Sequence, residues 1–217
     1  MRPIVRSAEP PSFTAWKNQA SPDWQPSWDN FQRPEKPEVH AALLRDQGFV
    51  CCYCEQRVKV NDSHIEHLQS CHAARQLALE FTNLLASCQR ELLPGAPAHC
   101  GHLKDKIPLS VHPLMPDCRE FFVFDSAGGI RPSQDPDRLE NAHRAIKVLG
   151  LDIPKLTASK RDAINGAVEF LKEDPSDEEI QQFIARIDSR NADGEHTPFA
   201  SAIVHVLSAY LAPVQPS

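Results

Sequence analysis

The residues best equipped for chemistry lie in one central stretch of the chain. Cys51 and Cys54 form a C-x2-C pair within CCYCE, and Cys88, His99 and Cys100 supply further donors downstream. Two intervening residues in a tight turn let both sulfurs point at one cation, at the ~2.3 Å that zinc–thiolate bonds require. Taken alone, such a pair fits a redox couple as well. Four soft ligands drawn from two separated segments are how a structural zinc closes a small fold. That favours Cys51, Cys54, Cys88 and Cys100, with His99 as the substitute for one of the latter two. Cys52, Cys71 and Cys118 are expected to be small buried residues, the commoner fate of a lone cysteine.

Between the two halves of this set lies HIEHL. On a strand, His64 and Glu66 share one face while Ile65 and His67 share the other. At a strand end, or in a twisted hairpin, Glu66 and His67 can still both line a cleft. The hard oxygen of Glu66 suits Mg²⁺ or Mn²⁺, and a neutral imidazole at His67 suits removal of a proton from water. The chain has ten histidines, so two around a glutamate carry little weight alone. The flanking cysteines supply that weight. The bland alternatives are a structural pair at Glu66 and His67, a structural imidazole at His64 and a solvated loop lysine at Lys104.

These residues need a scaffold, and 217 residues are enough for a sizeable core. The expected fold is α+β and mainly helical, divided as a Pro/Trp-rich arm and helix (1–48), a zinc-bearing core (49–112) and a short hairpin with a helical region (113–217). Proline density in residues 1–38 discourages long helices, so Trp16, Trp24 and Trp28 are expected to pin an extended arm to the fold. VHAALLRDQ reads as a short helix stopped at Gly48. Phe49–Val60 and HIEHL read as strand, turn and strand, and residues 73–85 as helical. Residues 119–131 read as a hairpin turning at Gly128–Gly129. Apolar stripes then predict four helices. Leu139, Ala142, Ile146 and Leu149 mark the first, which Gly150 ends. The second carries Ala163, Ile164, Ala167, Val168 and Leu171; the third opens on a Ser176/Glu179 capping box, and the fourth on Thr197 and Pro198.

No apolar run approaches the ~18 residues that span a bilayer, and MRPIVRSAEPP has no apolar signal core. The expectation is a cytoplasmic protein whose seven cysteines stay reduced and bind metal. A formal net charge of −6 argues against tight, unaided nucleic-acid binding. Any such activity must rest on a local basic patch, a bound cation or a partner.

CCYCE, HIEHL, FTNLLASC and HCGHLKD together resemble the HNH nucleases. More closely they resemble the PtuB-like nucleases of Septu anti-phage systems and some retrons. ENAHRAIKVLGL, LTASKRDAI and the tryptophan-bearing arm extend the similarity over most of the chain. The resemblance implies a ββα-metal core with structural Zn²⁺ and a catalytic Mg²⁺ or Mn²⁺. His67 matches the general base, Glu66 the preceding metal ligand and Asn83 the middle asparagine that orients the loop or base. Lys104 matches a lysine that would neutralise phosphate charge. Where many such enzymes place a ligand, this chain has Gly101, so His102 is the expected second metal ligand, with His99 and Asp105 as rivals. The implied activity is endonucleolytic, DNA favoured over RNA, with a PtuA-like ATPase of the ABC/SMC class as partner and no membrane. A ribonuclease acting on tRNA and a non-catalytic zinc module are the competing readings.

Overall fold

The computed structural model describes residues 1–211 of the chain. The arm is less extended than its prolines suggest. Pro11–Lys17 forms a helix of seven residues, α1, with Pro11 at its first position where a missing N–H costs nothing. Phe13, Trp16 and Phe31 are buried together, with ring centroids of Phe31 at 4.7 Å from Phe13 and 5.1 Å from Trp16. Trp28 packs 5.6 Å from Phe31 and carries the cluster on towards the centre of the chain.

Helix α2, Glu35–Asp46, begins with Glu35 and Glu38 against the positive end of its dipole. Gly48 at φ +59° ends it, as expected; a Cβ there would stand 2.4 Å from the His196 ring. The cysteine turn follows, closed by a single bridge between Val50 and Arg57 rather than by full strands. Strand β1, Ser63–His67, pairs antiparallel with β2, Leu84–Cys88, setting Ser63 opposite Cys88 and Glu66 opposite Leu85. The helix expected over 73–85 is absent. Short 3₁₀ turns at Arg75–Leu77 and Phe81–Asn83 lead directly into β2. LLASC is wholly buried, and a continuous apolar run does not distinguish a buried strand from a helix by periodicity.

A four-residue helix, α3 (Gly101–Lys104), closes this unit. Strands β3 (Phe122–Phe124) and β4 (Ile130–Pro132) form the second hairpin, turning where expected. Helix α4, Pro136–Leu149, is capped by Asp135 and ended by Gly150 at φ +58°. Ala142, Ile146 and Leu149 are buried, but Leu139 is 41% exposed. Helix α5 spans Pro154–Val168, and α6, Asp177–Asp188, carries the expected capping box. Helix α7, Ala200–Ser208, begins later than Thr197 and Pro198 imply. Glu55 supplies its cap: its carbonyl accepts the Phe199 N–H at 3.0 Å and its carboxylate the Ser201 N–H at 3.0 Å. Buried side chains from arm, central unit and C-terminal helices form one contiguous core. Among the described residues no helix is long and apolar enough to cross a membrane.

Two imidazoles of this scaffold give its stability a pH dependence. Burial, with His64 nearby, holds His40 at about 4, and its Nε2 lies 3.0 Å from the Ser63 hydroxyl. Burial, then Arg2 and Arg190, likewise holds His196 at about 4. Between these values and the ordinary 6.5 the unfolded chain takes up protons that the native chain refuses, so stability falls as pH drops through that window. Urea midpoints at neutral and mildly acidic pH are expected to fall further for the native chain than for His40→Gln or His196→Gln. Equal falls in all three would remove these residues as the cause.

Candidate metal centres and active site

The cysteine turn, the end of β2 and the start of α3 converge on one point. The Sγ atoms of Cys51, Cys54, Cys88 and Cys100 all lie within 4.8 Å of one another, with Cys51, Cys88 and Cys100 buried. Cys100 has φ +54° and donates its N–H to the Leu149 carbonyl at 2.8 Å, which turns its sulfur inward. Four thiol donors in a closed, apolar setting fit a tetrahedral zinc and leave no ligand position for substrate. His99 lies against the sulfurs, with Nδ1 3.2 Å from Cys100 Sγ and 3.6 Å from Cys88 Sγ. Cys52 and Cys118 are buried as expected, and Cys71 is half-buried.

Beside this cluster, β1 presents its two faces to different surroundings. Glu66 is 8% exposed. Its Oε1 accepts hydrogen bonds from the Tyr53 hydroxyl at 3.2 Å and the Lys104 ammonium at 2.9 Å. Its Oε2 faces the His64 Nε2 at 3.7 Å. Burial pushes the Glu66 carboxyl up, but His64 and Lys104 outweigh it and hold the group below its ordinary value. Lys104 is turned inward rather than towards an incoming phosphate. It is fully buried, and its ammonium also donates to the His67 carbonyl at 2.9 Å. In this position its charge serves Glu66.

His67 points the other way, against Trp28, with ring centroids 4.2 Å apart. Its Nε2 lies 3.0 Å from the Ala78 carbonyl. A carbonyl only accepts, so Nε2 carries the hydrogen and Nδ1 keeps a free lone pair. Burial holds the imidazole below its ordinary value, against the opposing pull of Ala78 and Glu66, and so keeps it neutral near pH 7. Asn83 fixes the loop that supplies this carbonyl. Its Oδ1 accepts the Gln69 N–H at 2.8 Å, and its Nδ2 donates to the carbonyls of Gln69 at 2.9 Å and Leu77 at 3.0 Å.

The second-ligand position differs from expectation. The exposed His102 ring turns its Nε2 onto the Gln89 carbonyl, away from Glu66, and packs 4.8 Å from the His64 ring. Asp105 is exposed at the end of α3, and His99 belongs to the sulfur cluster. His64, which shares a face with Glu66 by strand alternation, is the imidazole nearest its free oxygen. The alternation in HIEHL carried that signal; motif spacing pointed past it. Tyr53 and Trp28, both in contact with the site, had no comparable signal.

No family model matches the chain. Over 142 residues it is 29% identical to a Vibrio cholerae protein (serotype O1, biovar El Tor) named "Retron Vc95 putative HNH endonuclease". The similarity covers 63% of this chain and 68% of that protein.

Two outcomes follow from the geometry. Elemental analysis is expected to find a single zinc per chain, lost in Cys88→Ser and Cys100→Ser at a stability cost of several kcal/mol, and retained in Cys52→Ser. Zinc retained without Cys88 would dismantle the four-sulfur site. Asn83→Ala leaves the Gln69 groups and the Leu77 carbonyl unpaired, at a cost of about 1–3 kcal/mol. Limited proteolysis should then open residues 69–77 first; unchanged protection there would deny Asn83 its clamping role.

Proposed function

We propose that this protein is a metal-dependent HNH-type endonuclease that hydrolyses phosphodiester bonds of nucleic acid, DNA favoured. The observation that carries the reading is the pairing at the end of β1. His67 has Nε2–H fixed on a carbonyl and Nδ1 free, and the neighbouring Glu66 has one oxygen held by Lys104 and the other uncommitted. The similarity to a protein named as an HNH endonuclease supports the same class.

His67 Nδ1 takes the proton of the attacking water. Trp28 and the Ala78 carbonyl hold the ring so that this nitrogen stays presented. Asn83 positions the carbonyl through the loop, and Lys104 keeps Glu66 ionised without competing for its second oxygen. Glu66 would hold the divalent cation, Mg²⁺ or Mn²⁺, which when bound stabilises charge on the phosphate and the leaving 3′ oxygen. The cysteine-bound zinc takes no part in the chemistry and holds the strands and α3 in place.

A net charge of −6 demands a local source of attraction for phosphate. A groove of about 370 Å³ meets that demand beside β1, lined by Arg33, Lys36, His40, His64 and Arg90 with no carboxylate among its walls. Three permanent cations provide few phosphate contacts, so a partner contributes the rest of the affinity. The reading that fits is an anti-phage effector licensed by an ATPase of the ABC/SMC class, working in the cytoplasm.

The test incubates the zinc-loaded chain with Mg²⁺ or Mn²⁺ and plasmid DNA, single-stranded DNA or tRNA, alone and with an ATPase of the proposed ABC/SMC class. DNA cleavage is expected, lost by about 100-fold or more in His67→Ala while zinc content and thermal unfolding stay unchanged. Full cleavage by that variant would refute the assignment of the base. Cleavage of tRNA alone would make the enzyme a ribonuclease, and no cleavage of any substrate with the partner present would leave a zinc module.

A further inference from the structure

We propose that His64 is the second protein ligand of the catalytic cation, paired with Glu66 from the same face of β1, and that Gly101 is required to leave that pair room. The inference rests on the nuclease reading above and names a ligand that the HNH-type spacing does not supply.

Alternation places His64 and Glu66 side by side, and their Nε2 and Oε2 atoms stand 3.7 Å apart. Two donors that each lie ~2.1 Å from an octahedral ion are separated by ~3 Å when adjacent and ~4 Å when opposite. The observed separation lies between the two, so binding at adjacent positions requires the pair to close by a side-chain adjustment. It exceeds a good hydrogen bond, so the two groups do not satisfy one another directly.

Among the described residues neither ring nitrogen of His64 makes a hydrogen bond: Nδ1 is buried without a partner, and Nε2 stands 3.7 Å from Glu66 Oε2, whereas a histidine kept for structure ordinarily has its buried nitrogen bonded. Glu66 is likewise half used: Oε1 receives Tyr53 and Lys104, and Oε2 receives neither. The Nε2 of this imidazole and the Oε2 of the carboxylate thus face the same space, each without a hydrogen bond among the described residues.

The start of α3 closes that space with backbone alone. The Gly101 N–H donates to the Ser87 hydroxyl at 3.1 Å, which sets the helix against β2. A Cβ on Gly101 would lie 2.7 Å from Glu66 Oε2 and 2.8 Å from His64 Nε2. Any side chain at 101 would therefore occupy the volume between the two donors. Gly101 offers no side-chain donor at the start of the helix, and the strand supplies the imidazole. One imidazole and one carboxylate leave the remaining positions to water and a phosphate oxygen, and the nitrogen donor tilts preference from Mg²⁺ towards Mn²⁺.

The zinc-loaded full chain, labelled with ¹⁵N-histidine, would be titrated with Mn²⁺ and followed by electron paramagnetic resonance and spin-echo modulation. The intact chain is expected to bind Mn²⁺ with one coordinated imidazole nitrogen. His64→Asn should lose that coupling and at least tenfold in Mn²⁺ affinity, and Gly101→Ala should weaken Mn²⁺ binding. His102→Asn should alter neither, and zinc content and circular dichroism should match in every variant. Coupling that persists in His64→Asn, or disappears in His102→Asn, overturns the assignment. Mn²⁺ binding that depends on Glu66 but not on His64 defeats this inference alone. Failure of the intact chain to bind Mn²⁺ or Mg²⁺ removes the cation-dependent nuclease reading with it.

Discussion

The four-sulfur convergence of Cys51, Cys54, Cys88 and Cys100 is the constraint on which the rest of the site depends. It ties a turn, a strand end and a helix start that hold few other bonds in common. Strand side chains alternate with a period of two, so a one-residue slip of β2 would carry Cys88 to the opposite face. Holding Cys88 in the cluster fixes Ser63 opposite Cys88, and with it the face on which His64 and Glu66 lie. The cysteine at the entrance of α3 then sets Gly101 against those same donors. Sulfur geometry at one point decides donor geometry at another.

Burial inside this frame divides labour between neighbouring residues. Glu66 and Lys104 are both removed from water, and a buried charge without its partner is strongly destabilising. Their 2.9 Å contact keeps the carboxylate ionised and leaves one of its oxygens free. Burial keeps His67 neutral against the pull of the Ala78 carbonyl, which fixes a single tautomer. Adjacent residues on a strand alternate faces, and Glu66 and His67 at its end have separate surroundings. On the proposed reading, one offers an oxygen to a cation and the other a nitrogen to a proton.

Much of this is legible in the sequence. Cysteine spacing identified the sulfur set because thiolate coordination needs particular side chains and little else. The capping box at Ser176 and the stop at Gly150 were legible because local hydrogen bonding decides them. The failures share a different cause. Residues 73–85 looked helical because a buried strand such as LLASC lacks alternation. The start of α7 was misplaced because Glu55, far away in sequence, supplies the cap. The orientation of His102 is not legible because motif spacing counts residues, whereas the turn at Cys100, with its positive φ, decides where α3 points.

The arm shows how a segment without motif residues still shapes the site. Trp28 touches His67, and Lys36 stands 4.5 Å above the Trp28 ring. Lys36 and Arg33 also line the basic groove that reaches His64. The aromatic cluster of Phe13, Trp16 and Phe31 anchors Trp28 and Lys36, so its packing fixes both the wall against His67 and a cation beside the strand. For a chain with excess negative charge this economy matters. A few cations held rigidly at the reacting strand orient a phosphate more effectively than many scattered over the surface, because attraction between exposed charges is screened within about 8–10 Å at physiological salt. The same economy leaves little affinity for a long substrate, and that is the physical ground for assigning the remaining contacts to a partner.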